Sequence, residues 1–238
     1  MKLPIEYVAD RNYLLFKNDC GITDVVRSGG IYEQYMFDYV RDTLSVEGTT
    51  ILDIGANLGQ HSIEFSKLVG DSGVVHAYEA QRLVFYQLCA NVLLHGISNI
   101  YAHHLALSDK SWLTHIQHPD YFSTETINVG NSFMAPEPPW LKTRDLVQMN
   151  KLDNYGFESP AISVIKIDVE GAEPFVLDGA VNTIKQHRPI LFVEIWDVNL
   201  GVYKFRPDDV FSRLDALGYT WKKLIDADHI IDYVATPK

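Results

Sequence analysis

Cysteine is scarce in this chain: Cys20 and Cys89 are the only two in 238 residues, far apart and in no spacing that suits a metal. That excludes a disulfide framework and a cysteine-ligated zinc module, and it fits two reduced thiols in an intracellular protein. Long hydrophobic runs are missing as well. No stretch approaches the ~18 apolar residues of a membrane span, and the opening "MKLPIEYVADRNY" lacks the apolar core of a secretion signal. Basic residues are outnumbered, 20 Lys and Arg against 31 Asp and Glu, for a formal net charge of −11. Such a balance argues against a general nucleic-acid or anionic-membrane binder, which would show a basic face. Repeats and low-complexity tracts are also absent. The expectation is a cytoplasmic protein with no membrane span and no nucleic-acid partner.

With 47% hydrophobic and 21% charged residues the chain can bury a sizeable core. We read residues 1–238 as a single α/β domain. Residues 1–45 hold short strands and turns ("IEYVAD", "YLLFKND", "DVVRSGG") and then a helix, "YEQYMFDYVRDTL", whose apolar residues recur at helical spacing. After it, strand-like runs alternate with helical ones. "TTILDIG" precedes the helix "NLGQHSIEFSKLV"; "GVVHAYEA" precedes "RLVFYQLCANVLLHG", closed by Gly96; "IYAHHLALS" is a third strand and "WLTHIQH" a fourth short one. Residues 119–159 lose this pattern, and with "GNSFMAPEPPW" read as a substrate-side insertion or lid; "KTRDLVQMNKLDNYG" returns through a strand. Then come "AISVIKID" (strand), "PFVLDGAVNTIKQH" (helix), "RPILFVEIW" (strand) and "RPDDVFSRLDALG" (helix with Pro207 near its start and Gly218 after its end). "YTWKKLI" and "HIIDYVATP" form a last antiparallel pair. Continuous apolar strands alternating with helices predict a mostly parallel sheet with helices on both faces. In such sheets ligands bind beyond the carboxyl ends of the strands.

The first such end is "ILDIGANLGQHS". Gly55 and Gly59 allow a sharp turn between strand and helix. The spacing is G-x-x-x-G, unlike the dinucleotide fingerprint G-x-G-x-x-G, and no Gly-Lys-Ser/Thr follows as in a phosphate loop. The second strand ends in "AYEA", which puts Glu79 about 20 residues beyond the glycine turn, where an acid accepts hydrogen bonds from ribose hydroxyls. A nucleoside without a diphosphate is implied, and S-adenosylmethionine fits.

Together "ILDIGANLGQHS", "AYEA", "LALSD" and "IKIDVEGAEPFVLDGA" resemble the FkbM-type family of S-adenosylmethionine-dependent methyltransferases, over about Tyr32 to Trp196. The first motif marks only the methyltransferase superfamily; "KIDVEGAE" narrows it. The resemblance implies a Rossmann-like seven-stranded methyltransferase sheet with an antiparallel last strand. It also implies that Asp53, Gly55, Asn57 and Gly59 form the methionine-binding loop, that Glu79 is the ribose acid, and that Ala106 to Asp109, with Ala106 and Ser108, lie by the adenine. Glu33 either faces the methionine end of the cofactor or is simply an acid in the first turn of its helix. His61 receives no role.

Asp168 ends the fourth core strand and Glu194 the fifth, so neighbouring strands would aim both carboxylates into one crevice. Methyl transfer needs an acceptor hydroxyl held at attack distance, and a base or a metal to activate it. Either Asp168 or Glu170 takes the proton directly, or Asp168 and Glu194, with Asp197, hold Mg²⁺ or Mn²⁺, as similar paired acids do in methyltransferases of catechol and macrolide-sugar type. Glu173 precedes Pro174 and reads as a helix cap. Tyr121, Phe122, Phe133 and Trp140, with Asn128, Asn131 and Ser132, offer a surface for a sugar ring. The family resemblance implies O-methylation, and we expect a sugar or glycan hydroxyl as acceptor, with other glycan-building domains or enzymes as partners. The alternatives are a polyketide or other small-molecule hydroxyl, a non-catalytic module that kept the fold, and an NAD-type oxidoreductase, against which the glycine spacing speaks.

Overall fold

The computed structural model describes residues 4–134, 143–157, 161–224 and 232–238. The chain opens with an antiparallel hairpin, β1 (Ile5–Val8) and β2 (Tyr13–Phe16), followed by helices α1 (Ile22–Arg27) and α2 (Gln34–Thr43). Strand and helix then alternate through β3 (Thr50–Ile54), α3 (Gln60–Val69), β4 (Val74–Glu79), α4 (Arg82–Leu94) and β5 (Ile100–His104). Next come β6 (Ala106–Leu107), β7 (Trp112–His118) and β8 (Thr143–Asn150), which form a separate sheet in the order β6-β8-β7. The chain finishes through β9 (Ile162–Ile167), α5 (Glu173–Gly179), α6 (Val181–His187), β10 (Ile190–Glu194), α7 (Asp197–Val202), α8 (Pro207–Ala216), β11 (Tyr219–Lys223) and β12 (Asp232–Pro237).

The main sheet has seven strands in the order β11-β12-β10-β9-β3-β4-β5. β12 runs antiparallel to β10 and β11, and the other pairings are parallel. This is the expected sheet with its antiparallel last strand. The continuous apolar runs exist because both faces are covered. Alternation sends Leu52, Ile54, Ile165 and Ile167 to one core, against Val176 and Leu177 of α5 and Leu214 of α8. Ile51, Val75, Ala77, Val164 and Phe192 face the other, against Met36, Phe37 and Val40 of α2 and Ile63 and Phe65 of α3.

Several elements depart from the sequence reading. "DVVRSGG", taken as strand and turn, lies largely in α1, a six-residue helix too short to show a period. The helix expected after "KID" is two helices. Ala180 leaves helical geometry between them, and Asp153 accepts the backbone N–H groups of Asn182 (2.9 Å) and Thr183 (2.8 Å), starting α6 afresh. The "IYAHHLALS" strand divides into β5 and β6, which join different sheets. α7 was not foreseen. Cys20 and Cys89 are free, as expected. Among the described residues no helix is long and apolar enough to cross a membrane.

Candidate active site

Asp53 and Lys166 are cross-strand partners in the register of β3 and β9, on the face covered by α2 and α3. Both are buried, at 0% and 2% exposure. A buried ammonium needs compensation, and Lys166 Nζ finds it in Asp168 Oδ2 at 2.8 Å and Asp53 Oδ1 at 4.0 Å. Asp168, Asp53 and Glu33 together hold the lysine above its ordinary range, although burial alone would lower it. Asp53 is fixed from behind by the Ser62 hydroxyl at 2.5 Å.

The turn after β3 explains its glycines. A Cβ on Gly55 would lie 1.7 Å from the Asp168 carbonyl oxygen, and φ is +85°, so the end of β9 demands a glycine there. Gly59, with φ +93°, starts α3 against Leu88, whose Cδ1 a Cβ would meet at 2.5 Å. Packing of the loop against β9 and α4 therefore accounts for both glycines.

Two clefts open at the carboxyl ends of the strands. The first encloses about 650 Å³ and is lined by Gly55, Asn57, Glu79, Ala106, Asp168 and Glu170, with an apolar wall of Leu105, Leu107, Ile116 and Met134. The second, of about 1170 Å³, is lined by Tyr32, Glu33, His61, Lys166, Glu194 and Trp196. Gly55, Asn57, Gly130, Asp168 and Glu170 line both, so the clefts meet over the ends of β3 and β9.

In the first cleft, Glu79 Oε2 accepts the N–H of Asn57 (2.9 Å) and Oε1 that of Gln81 (2.7 Å). Each oxygen keeps a second lone pair for a ligand hydroxyl. Burial pushes Glu79 up to about 7 against the backbone bonds of Gln81, Asn57 and Ala80. The segment after β7 folds back over the cleft. Gln81 Nε2 donates to the Val129 carbonyl (2.9 Å), the Tyr121 hydroxyl donates to Gln81 Oε1 (2.7 Å), and the Met134 N–H donates to the Tyr203 hydroxyl (2.8 Å).

The second cleft is rich in carboxylates. Burial, then the charge of Asp168, raises both Glu170 and Glu194 well above the carboxylate range. Asp232, paired with Glu194 across β10 and β12, is pushed up to about 7 by burial and Glu33, and accepts the Tyr35 hydroxyl at 2.6 Å. Asn199 Nδ2 donates to Glu170 Oε2. Glu33 is different. Burial would raise it, but the hydrogen bond from His61, the charge of that ring when protonated, and the charge of Lys166 hold it below its ordinary value. Glu33 Oε2 lies 2.9 Å from His61 Nε2.

The structure thus brings Gly55, Asn57, Glu79, Ala106, Asp168 and Glu170 to the first cleft, and Glu33, Asp168, Glu170 and Glu194 to the second. Asp53, Gly59 and Ser108 line neither. Ser108 is buried, its N–H bonded to the Asn150 carbonyl at 2.9 Å. Glu173 is the first residue of α5 and Ala172 occupies the cap position. Glu173 Oε1 nevertheless accepts the N–H groups of Val169 and Gly171, both at 3.1 Å, fastening the turn that carries Glu170. Tyr121 and Phe133 are buried, leaving Tyr32 and Trp196 as the aromatic residues on the second cleft. Trp140 lies outside the described residues. Asp197 is exposed and lines neither cleft. Among the described residues no group of three or more His, Cys, Asp and Glu is arranged to hold a metal, and Asp168 already binds an ammonium.

Sequence reasoning missed Gln81, Tyr203 and the partnership of His61. Gln81 directly follows "AYEA" and could have been noticed. Tyr203 follows the unforeseen α7, and nothing in the sequence couples His61 to a glutamate 28 residues earlier.

The family profile for the methyltransferase FkbM domain matches residues 53–220. Among solved structures, methyltransferase FkbM from Methylobacillus flagellatus is similar over 82% of this chain, with TM-score 0.53 and 17% identity; the match covers 45% of that protein. A putative rRNA methylase from Clostridium thermocellum matches over 85% of this chain and 92% of its own, with TM-score 0.53 and 10% identity. A SAM-dependent O-methyltransferase from Thermotoga maritima matches over 94% and 72%, with TM-score 0.50 and 13% identity. At these identities the likeness is one of fold. No curated protein matches the sequence.

Proposed function

The chain belongs to the FkbM methyltransferase family, and from that premise we propose that it transfers the methyl group of S-adenosylmethionine to a hydroxyl oxygen of a sugar or glycan. The junction of the two clefts carries this reading. The first offers a carboxylate, Glu79, with spare lone pairs for ribose hydroxyls, and an apolar wall at Leu105, Ala106 and Leu107 for adenine. Gly55 and Asn57 then stand between that site and the second cleft. Asp53 and Gly59 act from behind, by fixing the loop, and Ser108 by fixing the strand end beside the adenine wall.

The second cleft has the chemistry that recognises sugars: carboxyl groups to bond hydroxyls, and the side chains of Tyr32 and Trp196 to cover a ring. Its acidity disfavours sugar phosphates and favours uncharged polyols. Methyl transfer is an in-line displacement at the sulfonium carbon, and its rate depends on holding the attacking oxygen in line. Asp168, Glu170 and Glu194 surround the junction and orient that oxygen. Asp168 is itself held by Lys166, and Glu170 by Asn199. The hydroxyl loses its proton to a side chain.

Isothermal titration tests the first half of the reading: S-adenosylhomocysteine binds and NADH does not. Binding of NADH alone would remove it. A panel of neutral mono- and oligosaccharides, with a polyketide alcohol for comparison, tests the acceptor.

A further inference from the structure

Two features of the second cleft point to a group that the reaction needs. Asp168, the first choice for a base, is neutralised by Lys166 at 2.8 Å. Burial and neighbouring acids raise Glu170 and Glu194, and Glu170 already accepts the Asn199 amide. His61 also lines this cleft, 3% exposed, with Nε2 bonded to the carboxylate of Glu33 at 2.9 Å. The ring is fixed between Phe37, 5.5 Å away, and the edge of Tyr32, 6.1 Å away. Its other nitrogen, Nδ1, has no partner among the described residues and is not one of the sealed, unsatisfied polar atoms of the core. His61 lines the cleft that Asp168 and Glu170 share with the cofactor side.

We propose that His61 is the general base of the transfer and Glu33 its positioning residue, an inference that rests on the O-methyltransferase reading above. The ionised Glu33 carboxylate accepts the Nε2–H, and that bond fixes the tautomer with a lone pair on Nδ1. The acceptor oxygen attacks the methyl carbon, the carbon–sulfur bond breaks with its electron pair going to sulfur, and the hydroxyl proton passes to Nδ1. The products are the methyl ether, S-adenosylhomocysteine and an imidazolium whose charge Glu33 balances; solvent then removes the proton. The other charged groups of the cleft are Lys166, Asp168, Glu170 and Glu194. Asp232 is the partner of Glu194 across β10 and β12, and the Tyr32 phenol is held above its ordinary value by burial and Glu33, so it stays neutral in the working range.

The test uses the full chain, as wild type, His61→Gln and Glu33→Gln. Circular dichroism and thermal unfolding show that the variants fold like the wild type. In the wild type, kcat rises with pH as the base loses its proton. His61→Gln loses that rise and about 10²- to 10⁴-fold in kcat, the usual contribution of general-base catalysis. Glu33→Gln keeps the rise but moves it to lower pH. Nitrogen-15 NMR of His61 gives a readout independent of turnover: the neutral ring carries its proton on Nε2, and Glu33→Gln lowers the imidazole pKa. A His61→Gln enzyme with wild-type kcat and pH profile overturns the proposal, as does a neutral ring protonated on Nδ1. If the wild type methylates no hydroxyl, the function above fails, and the NMR tautomer still decides the state of the dyad.

Discussion

Lys166 Nζ lies 2.8 Å from Asp168 Oδ2, an ion pair that joins the buried middle of the sheet to the lining of the second cleft. The same ammonium is 4.0 Å from Asp53, which is fully buried. Lys166→Met therefore leaves Asp53 without its counter-charge. Breaking a buried pair in this way costs about 3–5 kcal/mol; Asp168, 27% exposed on its side chain, adds little because water can solvate it. Urea unfolding at neutral pH measures the loss. A change no larger than the ~1 kcal/mol of a surface pair would mean that the lysine is not holding the sheet.

Glu173 gives the fold a pH dependence of known sign. Burial raises its carboxyl from the ordinary 4.5 to about 7, even though backbone N–H groups, those of Val169 and Gly171 among them, favour the anion. The folded chain keeps this proton where the unfolded chain has released it. Stability therefore falls as pH rises from about 4.5 to about 7 and is level above, a change on the order of 3 kcal/mol. Glu79 and Asp232, both also near 7, act in the same direction. Glu173→Gln removes its share of the slope while keeping an oxygen for Val169 and Gly171. Urea midpoints measured across this range show a flatter curve for the variant; an unchanged slope contradicts the assignment.

Gly55 and Gly59 differ in what opposes a side chain. At Gly55 the obstacle is the backbone carbonyl of Asp168; at Gly59 it is the mobile end of Leu88. Both alanine variants incur the left-handed backbone penalty, about 1–2 kcal/mol. Only Gly55→Ala must also push β9 away. Thermal unfolding is expected to place Gly55→Ala well below Gly59→Ala, and equal losses would contradict the close approach of the two strand ends.

Trp196 follows β10, lines the second cleft and is 44% exposed. Its removal should act on the acceptor alone. Trp196→Ala is expected to raise KM for a saccharide about tenfold, the equivalent of one aromatic contact of about 1.4 kcal/mol, with binding of S-adenosylhomocysteine unchanged. Steady-state kinetics beside calorimetry separates the two, and a loss confined to cofactor binding would place Trp196 in the wrong cleft.

The parallel sheet was readable because β3 and β9 are apolar on consecutive positions, which only a strand covered on both faces tolerates. The one polar pair inside them, Asp53 and Lys166, was visible as two residues but not as partners, because their register is set by strand pairing over more than a hundred residues. The short helix α7 left no periodic signal, so Asn199 and Tyr203 could not be placed. Tyr121 looked like an acceptor contact because loop aromatics often are. It lies instead in a small core, stacked on Phe16 with ring centroids 5.3 Å apart, since the segment after β7 folds onto the N-terminal hairpin. The acids after β9 were legible in composition, but their division of labour was not. Which carboxylate pairs with Lys166, which with His61 and which with backbone depends on distances that only the folded chain supplies.

The central claim is that the two clefts meet where a methyl group passes to a hydroxyl oxygen. Incubation of the full chain with isotopically labelled S-adenosylmethionine and a panel of neutral saccharides, a polyketide alcohol and an RNA, followed by mass and NMR analysis of the labelled product, tests it most directly. The account predicts label on an ether oxygen of a saccharide. Label on RNA or on nitrogen, or none on any acceptor although S-adenosylhomocysteine binds, would contradict it.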